Sequence, residues 1–119
     1  MNKSLDVKFQ NPDLNNSSQV VAFSGEFDKV GRADVAPELE SLIKNFTLDS
    51  LIFDFSGLKF INSESIGYII DMQSRLSKYG KKFVLIGADQ HVKDVLNAVG
   101  ISEIIPMYET LDEYFSKQK

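Results

Sequence analysis

The chain has 119 residues, 43% of them apolar and 25% charged, with no cysteine and a net charge of −4. That length and balance describe a folded globular chain of ordinary domain size rather than a disordered one. The negative charge argues against the basic face that non-specific nucleic-acid or anionic-membrane binding needs, and the missing cysteines exclude disulfides, thiolate metal sites and cysteine nucleophiles.

Residues 4–9 (Ser-Leu-Asp-Val-Lys-Phe) place Leu5, Val7 and Phe9 on one side, the alternation of a half-buried strand. The stretch from Asn11 to Ser18 is rich in Asn, Asp, Pro and Ser and reads as the turn of a hairpin. Gln19 to Ser24 is a second strand, ended by Gly25-Glu26-Phe27-Asp28. From Asp34 to Phe46, apolar residues recur at offsets 0, 4, 7, 8 and 11 (Val35, Leu39, Leu42, Ile43, Phe46), a helix stripe with Asp34 as N-cap and Pro37 in the first turn.

Leu51 to Phe55 is apolar on both faces up to Asp54, as an interior strand covered by helices would be. A polar loop, Asn62-Ser63-Glu64-Ser65, leads into a helix from about Glu64 to Tyr79 with Ile66, Ile69, Ile70 and Leu76 inward and Gly80 just past its end. Lys82 to Gly87 is a further buried strand, and Val92, Val95, Leu96 and Val99 mark a third helix stopped by Gly100. Ile104-Ile105 reads as a short strand ended by Pro106, and Thr110 caps a last helix with Leu111, Tyr114 and Phe115 inward, the tail from Lys117 fraying.

The expected order is β-β-α-β-α-β-α-β-α in a single domain over residues 1–119, an α/β fold with a mostly parallel central sheet and an antiparallel edge strand. On such a sheet, chemistry gathers at the carboxyl ends of the strands, where the loops 25–31, 56–65 and 87–90 would meet. No apolar run approaches the ~20 residues of a spanning helix. Met1 to Asp6 shows no secretory pattern, so a cytoplasmic protein is expected.

Catalytic signals are sparse. His91 is the lone histidine, with no nucleophile motif around it, and no glycine-rich phosphate loop or nucleophile elbow is present. No cofactor is required, and an enzyme is not expected. Glu26, Asp28, Asp54 and Glu64 could converge on a divalent cation, but Asp28 and Asp54 suit the tying of loop amides and Glu64 suits the helix dipole.

The serines are better candidates. Ser63 and Ser65 flank Glu64 at a helix N-terminus, where Asn62 or Ser63 would cap, and a phosphate added there would bring about −1.5 to −2 charge and switch docking. Gly67, inside the helix, costs about 1 kcal/mol relative to Ala, which suggests close backbone approach to the sheet or to a partner.

Taken together, the turn Gly25-Glu26-Phe27-Asp28, the run Asp54-Phe-Ser-Gly-Leu, the segment Phe60-Ile-Asn-Ser-Glu-Ser-Ile-Gly67 and the closing Gly100-Ile101 and Ile104-Ile105 resemble the STAS domain family, most closely its stand-alone anti-sigma factor antagonists. The resemblance covers nearly the whole chain and implies the STAS fold. In that family the loop usually reads Asp-Ser-Ser/Thr-Gly-Leu-Gly. A partner anti-sigma factor that is also a serine kinase phosphorylates the second hydroxyl residue, which abolishes binding, and a phosphatase restores it.

Laid on Gly67 without a gap, the usual Asp falls on Asn62, the first Ser on Ser63, the phosphoacceptor on Glu64 and the Gly on Ser65. Three readings follow from the resemblance. One is a module that binds its partner unswitched, through Asn62, Ser63, Glu64 and Ser65 with Tyr68, Asp71, Arg75 and Asp28 around them. Another is a switch moved to Ser63 or Ser65. A third is a STAS subunit of a transport complex. Asp71 and Arg75, at i,i+4, could equally form an ordinary intrahelical pair.

Overall fold

The computed structural model describes residues 3–11 and 17–118. Five strands form one sheet in the order β1-β2-β3-β4-β5: Leu5–Gln10, Ser18–Phe27, Ser50–Ile61, Lys82–Ile86 and Met107–Tyr108. β1 pairs antiparallel with β2, and the other neighbours are parallel. The expected α/β fold with an antiparallel edge strand is therefore present. The helices are α1 (Lys29–Lys44), α2 (Ser63–Ser77), α3 (Gln90–Ala98) and α4 (Leu111–Lys117). None is long and apolar enough to cross a membrane.

Strand alternation divides the apolar residues between two layers. Leu51, Phe53 and Phe55 of β3 join Phe23, Phe83 and Leu85 in the larger core, closed by α1, α2 and α3 through Leu39, Ile69 and Leu96. Ile52, Val20, Val84 and Ile86 face the other way and meet Tyr114 of α4. Phe23 packs on Phe53 and Phe55, and Phe53 on Phe83, tilted or edge-to-face at centroid distances of 4.7–5.2 Å, so aromatic packing fills the centre of the larger layer.

Several boundaries differ from the sequence reading. β2 runs three residues past Ser24. Its Gly25, at φ +118°, passes Ser4 so closely that a Cβ would lie 2.2 Å from the Ser4 carbonyl oxygen. α1 begins at Lys29 rather than after Asp34: Asp28 is the N-cap, and Pro37 lies well inside the helix. Asp34 instead reaches back to the start of β1, accepting from Ser4 N at 2.8 Å.

β3 does not stop at Phe55 but continues to Ile61, so residues 56–61 are strand and not loop. α2 ends at Ser77, and Met72 is buried where Ile70 is only partly covered. Val99 and Phe9, expected inside, are exposed. Ile104-Ile105 is not a strand: a short 3₁₀ helix over Ile101–Glu103 precedes it, and β5 forms only after Pro106. α4 holds Lys117 in its last turn. The centre of the expected hairpin turn, residues 12–16, lies outside the described residues.

Candidate functional site

Two helices start side by side at one end of the sheet. Beyond Asp54, β3 has left β4 behind and pairs only with β2, ending at Phe27 opposite Ile61. Asn62 N then donates to Phe27 O at 3.2 Å, which fixes the start of α2 against the start of α1. Asp28 Oδ1 accepts from Gly31 N at 2.8 Å, and Asn62 Oδ1 accepts from Ser65 N at 2.9 Å. Each side chain satisfies an otherwise orphaned amide of a helix first turn. Asn62 is thus the cap of α2, not Ser63.

The first turn of α2 separates its two serines. Ser63 and Glu64 are exposed. Ser65 is fully buried, and its hydroxyl has no hydrogen-bond partner. In this fold the Ser65 oxygen is covered, whereas Ser63 and Glu64 lie on the surface. Gly67 lies open: a Cβ there would meet nothing within 4 Å, so the sheet is not what requires glycine.

α1 touches this helix start through a residue that sequence reasoning missed. Arg32 Nη2 stands 3.5 Å from Glu64 Oε2, the Arg32 side chain 24% exposed and the Glu64 side chain 73%. Arg32 fell between the loop read over residues 25–31 and the helix expected from Asp34. The available signal was Asp28, a capping residue type placed four before it.

Further along, Tyr68, Asp71 and Arg75 gather around Glu40 of α1, also missed. Arg75 grips Glu40 with two bonds of 2.8 and 2.9 Å, and the Tyr68 hydroxyl donates to Glu40 Oε2 at 2.7 Å. Asp71 Oδ2 lies 3.2 Å from Arg75 Nε, so the i,i+4 pair exists within a larger network. The Arg75 hydrogen bonds, then that from Tyr68, hold the Glu40 carboxyl down to about 2. Burial, then the bond to Glu40, pushes the Tyr68 hydroxyl up. The Glu40 bonds also raise Arg75. Tyr68 and Arg75 thus strut α2 against α1, while Asp71 keeps an exposed edge.

The remaining candidates disperse. Asp54 Oδ1 accepts from Ser56 N at 2.9 Å and Ser56 Oγ at 2.6 Å, a local tie. Among the described residues, no three His, Asp or Glu side chains are grouped to hold a metal ion. His91 is exposed in the first turn of α3. A concavity of about 890 Å³ lies at the other ends of α1 and α2, among Lys44, Phe46, Lys78 and Tyr79. None of the residues lining that concavity belongs to the first turn of α2.

A family model for the STAS domain matches residues 10–114, and the chain belongs to that family. Solved structures share the fold at low identity. An anti-sigma factor antagonist from Mycobacterium paratuberculosis is 24% identical with a TM-score of 0.77, over 96% of this chain and 93% of that one. The Bacillus cell-fate determinant SpoIIAA in its phosphorylated form is 18% identical with a TM-score of 0.66, over 94% and 100%. A sulfate transporter family protein from Wolinella succinogenes is 17% identical with a TM-score of 0.72, over 86% of each chain.

Proposed function

We propose that this STAS domain is a non-enzymatic, cytoplasmic signalling module of the anti-sigma factor antagonist kind. It docks a kinase-like anti-sigma factor through the start of α2. Glu64 stands where the resemblance puts the phosphoacceptor, with Asn62 shaping the turn beneath it and Ser63, Gly67 and the exposed edge of Asp71 extending the surface. Asp28, Tyr68 and Arg75 support it from behind.

The observation that carries the reading is Gly67. A glycine inside a helix costs about 1 kcal/mol relative to Ala, and none of the described residues lies close enough to require it. A partner backbone passing over α2 supplies the requirement, on the same side as exposed Ser63 and Glu64.

Titration calorimetry against the kinase-like partner tests this. Glu64→Arg reverses the one exposed carboxylate of the first turn and weakens binding at least tenfold, or about 1.4 kcal/mol. Undiminished affinity would remove Glu64 from the interface.

A second reading is favoured by the contrast between the two serines. With Ser65 sealed, a displaced switch falls on Ser63, whose hydroxyl is exposed beside Glu64. Phosphate there would put up to about −2 charge next to a carboxylate and repel an acidic partner surface, with a phosphatase to reverse it. Incubation with the cognate kinase and mass spectrometry gives one added phosphate, absent in Ser63→Ala. An unmodified mass with active kinase rejects the switch. A role in a transport assembly would show instead as transport genes beside this one, in place of kinase and phosphatase genes.

A further inference from the structure

β1 is a border of the sheet. In an antiparallel ladder, alternate residues turn their backbone groups to opposite sides. Glu26 N donates to Ser4 O at 2.8 Å. With the register Asp6↔Ser24 and Lys8↔Ala22, this turns the even residues of β1 toward β2. Leu5, Val7 and Phe9 therefore point their N–H and C=O groups outward.

Among the described residues, Asp34 alone meets that edge, its carboxylate 3.4 Å from Leu5 N. The Leu5 carbonyl and both groups of Val7 and Phe9 are open. The Phe9 side chain is 46% exposed.

A lysine on an edge strand usually guards it against pairing. Lys8 has Asp6 two residues away, exposed on the same face, and neither stands directly opposite a charged residue of β2. The pair makes the edge complementary to itself in one register. For two copies related by a two-fold axis, outward-facing odd residues must oppose one another. Centring on Asp6 sets it against its own copy, and centring on Lys8 opposes two lysines. Centring on Val7 opposes Asp6 with Lys8 twice, Leu5 with Phe9 twice, and Val7 with itself. Each of these pairs is favourable across an antiparallel ladder.

We propose that the outer edge of β1 pairs antiparallel with the same edge of a second copy of this chain, on a two-fold axis at Val7. The ladder has reciprocal bonds between the two Val7 residues and from each Phe9 N–H to the Leu5 carbonyl of the other copy. Each Leu5 N–H exchanges its long 3.4 Å contact with Asp34 for the Phe9 carbonyl of the other copy, while Asp34 keeps its 2.8 Å bond from Ser4 N. The pairing also covers Phe9. One short strand buries less than the ~1,000 Å² of a stable interface, so the dimer is weak and concentration-dependent.

Sedimentation velocity over a concentration series tests this, with circular dichroism to confirm that each variant folds. Wild type shifts from monomer toward dimer as concentration rises. Lys8→Asp and Asp6→Lys each oppose like charges and stay monomeric at concentrations where wild type is mostly dimeric. Their equimolar mixture forms a heterodimer, and the double swap Asp6→Lys/Lys8→Asp dimerises again. Wild type that remains monomeric throughout, single reversals that still dimerise, or a mixture that does not associate each overturn the proposal. The edge lies two strands from β3, and these substitutions leave α2 intact, so failure here is separate from failure of partner docking.

Discussion

Replacing Gly67 by Ala separates the two things this residue can be for. It is the fifth residue of α2, in a helical conformation, and its added Cβ would meet no atom within 4 Å. With no clash to offset it, the substitution gains the helix-propensity difference of about 1 kcal/mol, much of it from fewer conformations in the unfolded chain. For a chain of this size that corresponds to a rise of about 4 °C in Tm. The chain has no tryptophan, so urea unfolding is followed by far-UV circular dichroism, and the midpoint moves up with the slope unchanged. The same variant is titrated against the kinase-like partner, where the methyl intrudes on a close backbone approach and affinity falls about tenfold. A fall in stability would show that α2 is not open at residue 67. A rise in stability with affinity unchanged would refute the docking surface drawn over this face.

Gly31→Ala gives the opposite result on the neighbouring helix: its Cβ would sit 2.0 Å from Glu26 O and 2.9 Å from Leu5 Cβ, so the urea midpoint drops by the equivalent of about 3 kcal/mol despite the better helix former. Glu40 makes stability depend on acid. Its carboxyl is depressed in the folded state, so the stabilisation is present above the ordinary value of 4.5 and is lost as pH falls through about 2. Because Glu40 and Arg75 are 46% and 35% exposed, screening leaves it at about 1 kcal/mol, and Glu40→Gln flattens the urea midpoint across that window. Ser65→Ala removes a buried hydroxyl with no partner and is neutral or stabilising by up to about 1 kcal/mol, whereas a clear loss in urea unfolding would show that the oxygen is bonded. Tyr114→Phe breaks the buried 3.1 Å bond to Ser50 Oγ and costs about 1–2 kcal/mol, most of which Ser50→Ala in the same chain recovers.

The parts of the fold legible in the sequence are those whose pattern is set by the layers they face. Leu39 and Ile43, or Val92 and Leu96, recur at helical spacing because one side of each helix meets the sheet. What stayed hidden depends on contacts distant in sequence. Ser56-Gly57 reads as a turn, yet Gly57 is strand because β2 runs beside it, with the Phe23 carbonyl 2.7 Å from where its Cβ would be. Gly31 discourages a helix locally, but the Glu26 carbonyl occupies the space a side chain would need, so the true start of α1 carries an apparent helix breaker. Ile104-Ile105 looks like a strand by composition. The pairing with β4 instead begins at the Pro106 carbonyl, which accepts from Leu85 N at 3.1 Å.

The candidate site shows the same division within one helix. Periodicity places Glu64, Tyr68, Asp71 and Arg75 along one side of α2 and cannot say which of them a partner would find free. The neighbouring helix decides. Glu40 takes the Tyr68 hydroxyl and both terminal nitrogens of Arg75, and Arg32 approaches the carboxylate of Glu64. Beside these two α1 contacts, Ser63, Gly67 and Asp71 remain exposed. The position to which the resemblance assigns the phosphoacceptor, Glu64, is therefore not an isolated loop carboxylate. It is the first turn of a helix that α1 holds at two points, so a charge change at Ser63 or Glu64 acts on a surface whose backbone is already fixed. For the proposed docking, a turn already held by its neighbours would need no ordering of the chain, and affinity would then depend on charge and shape at the exposed face.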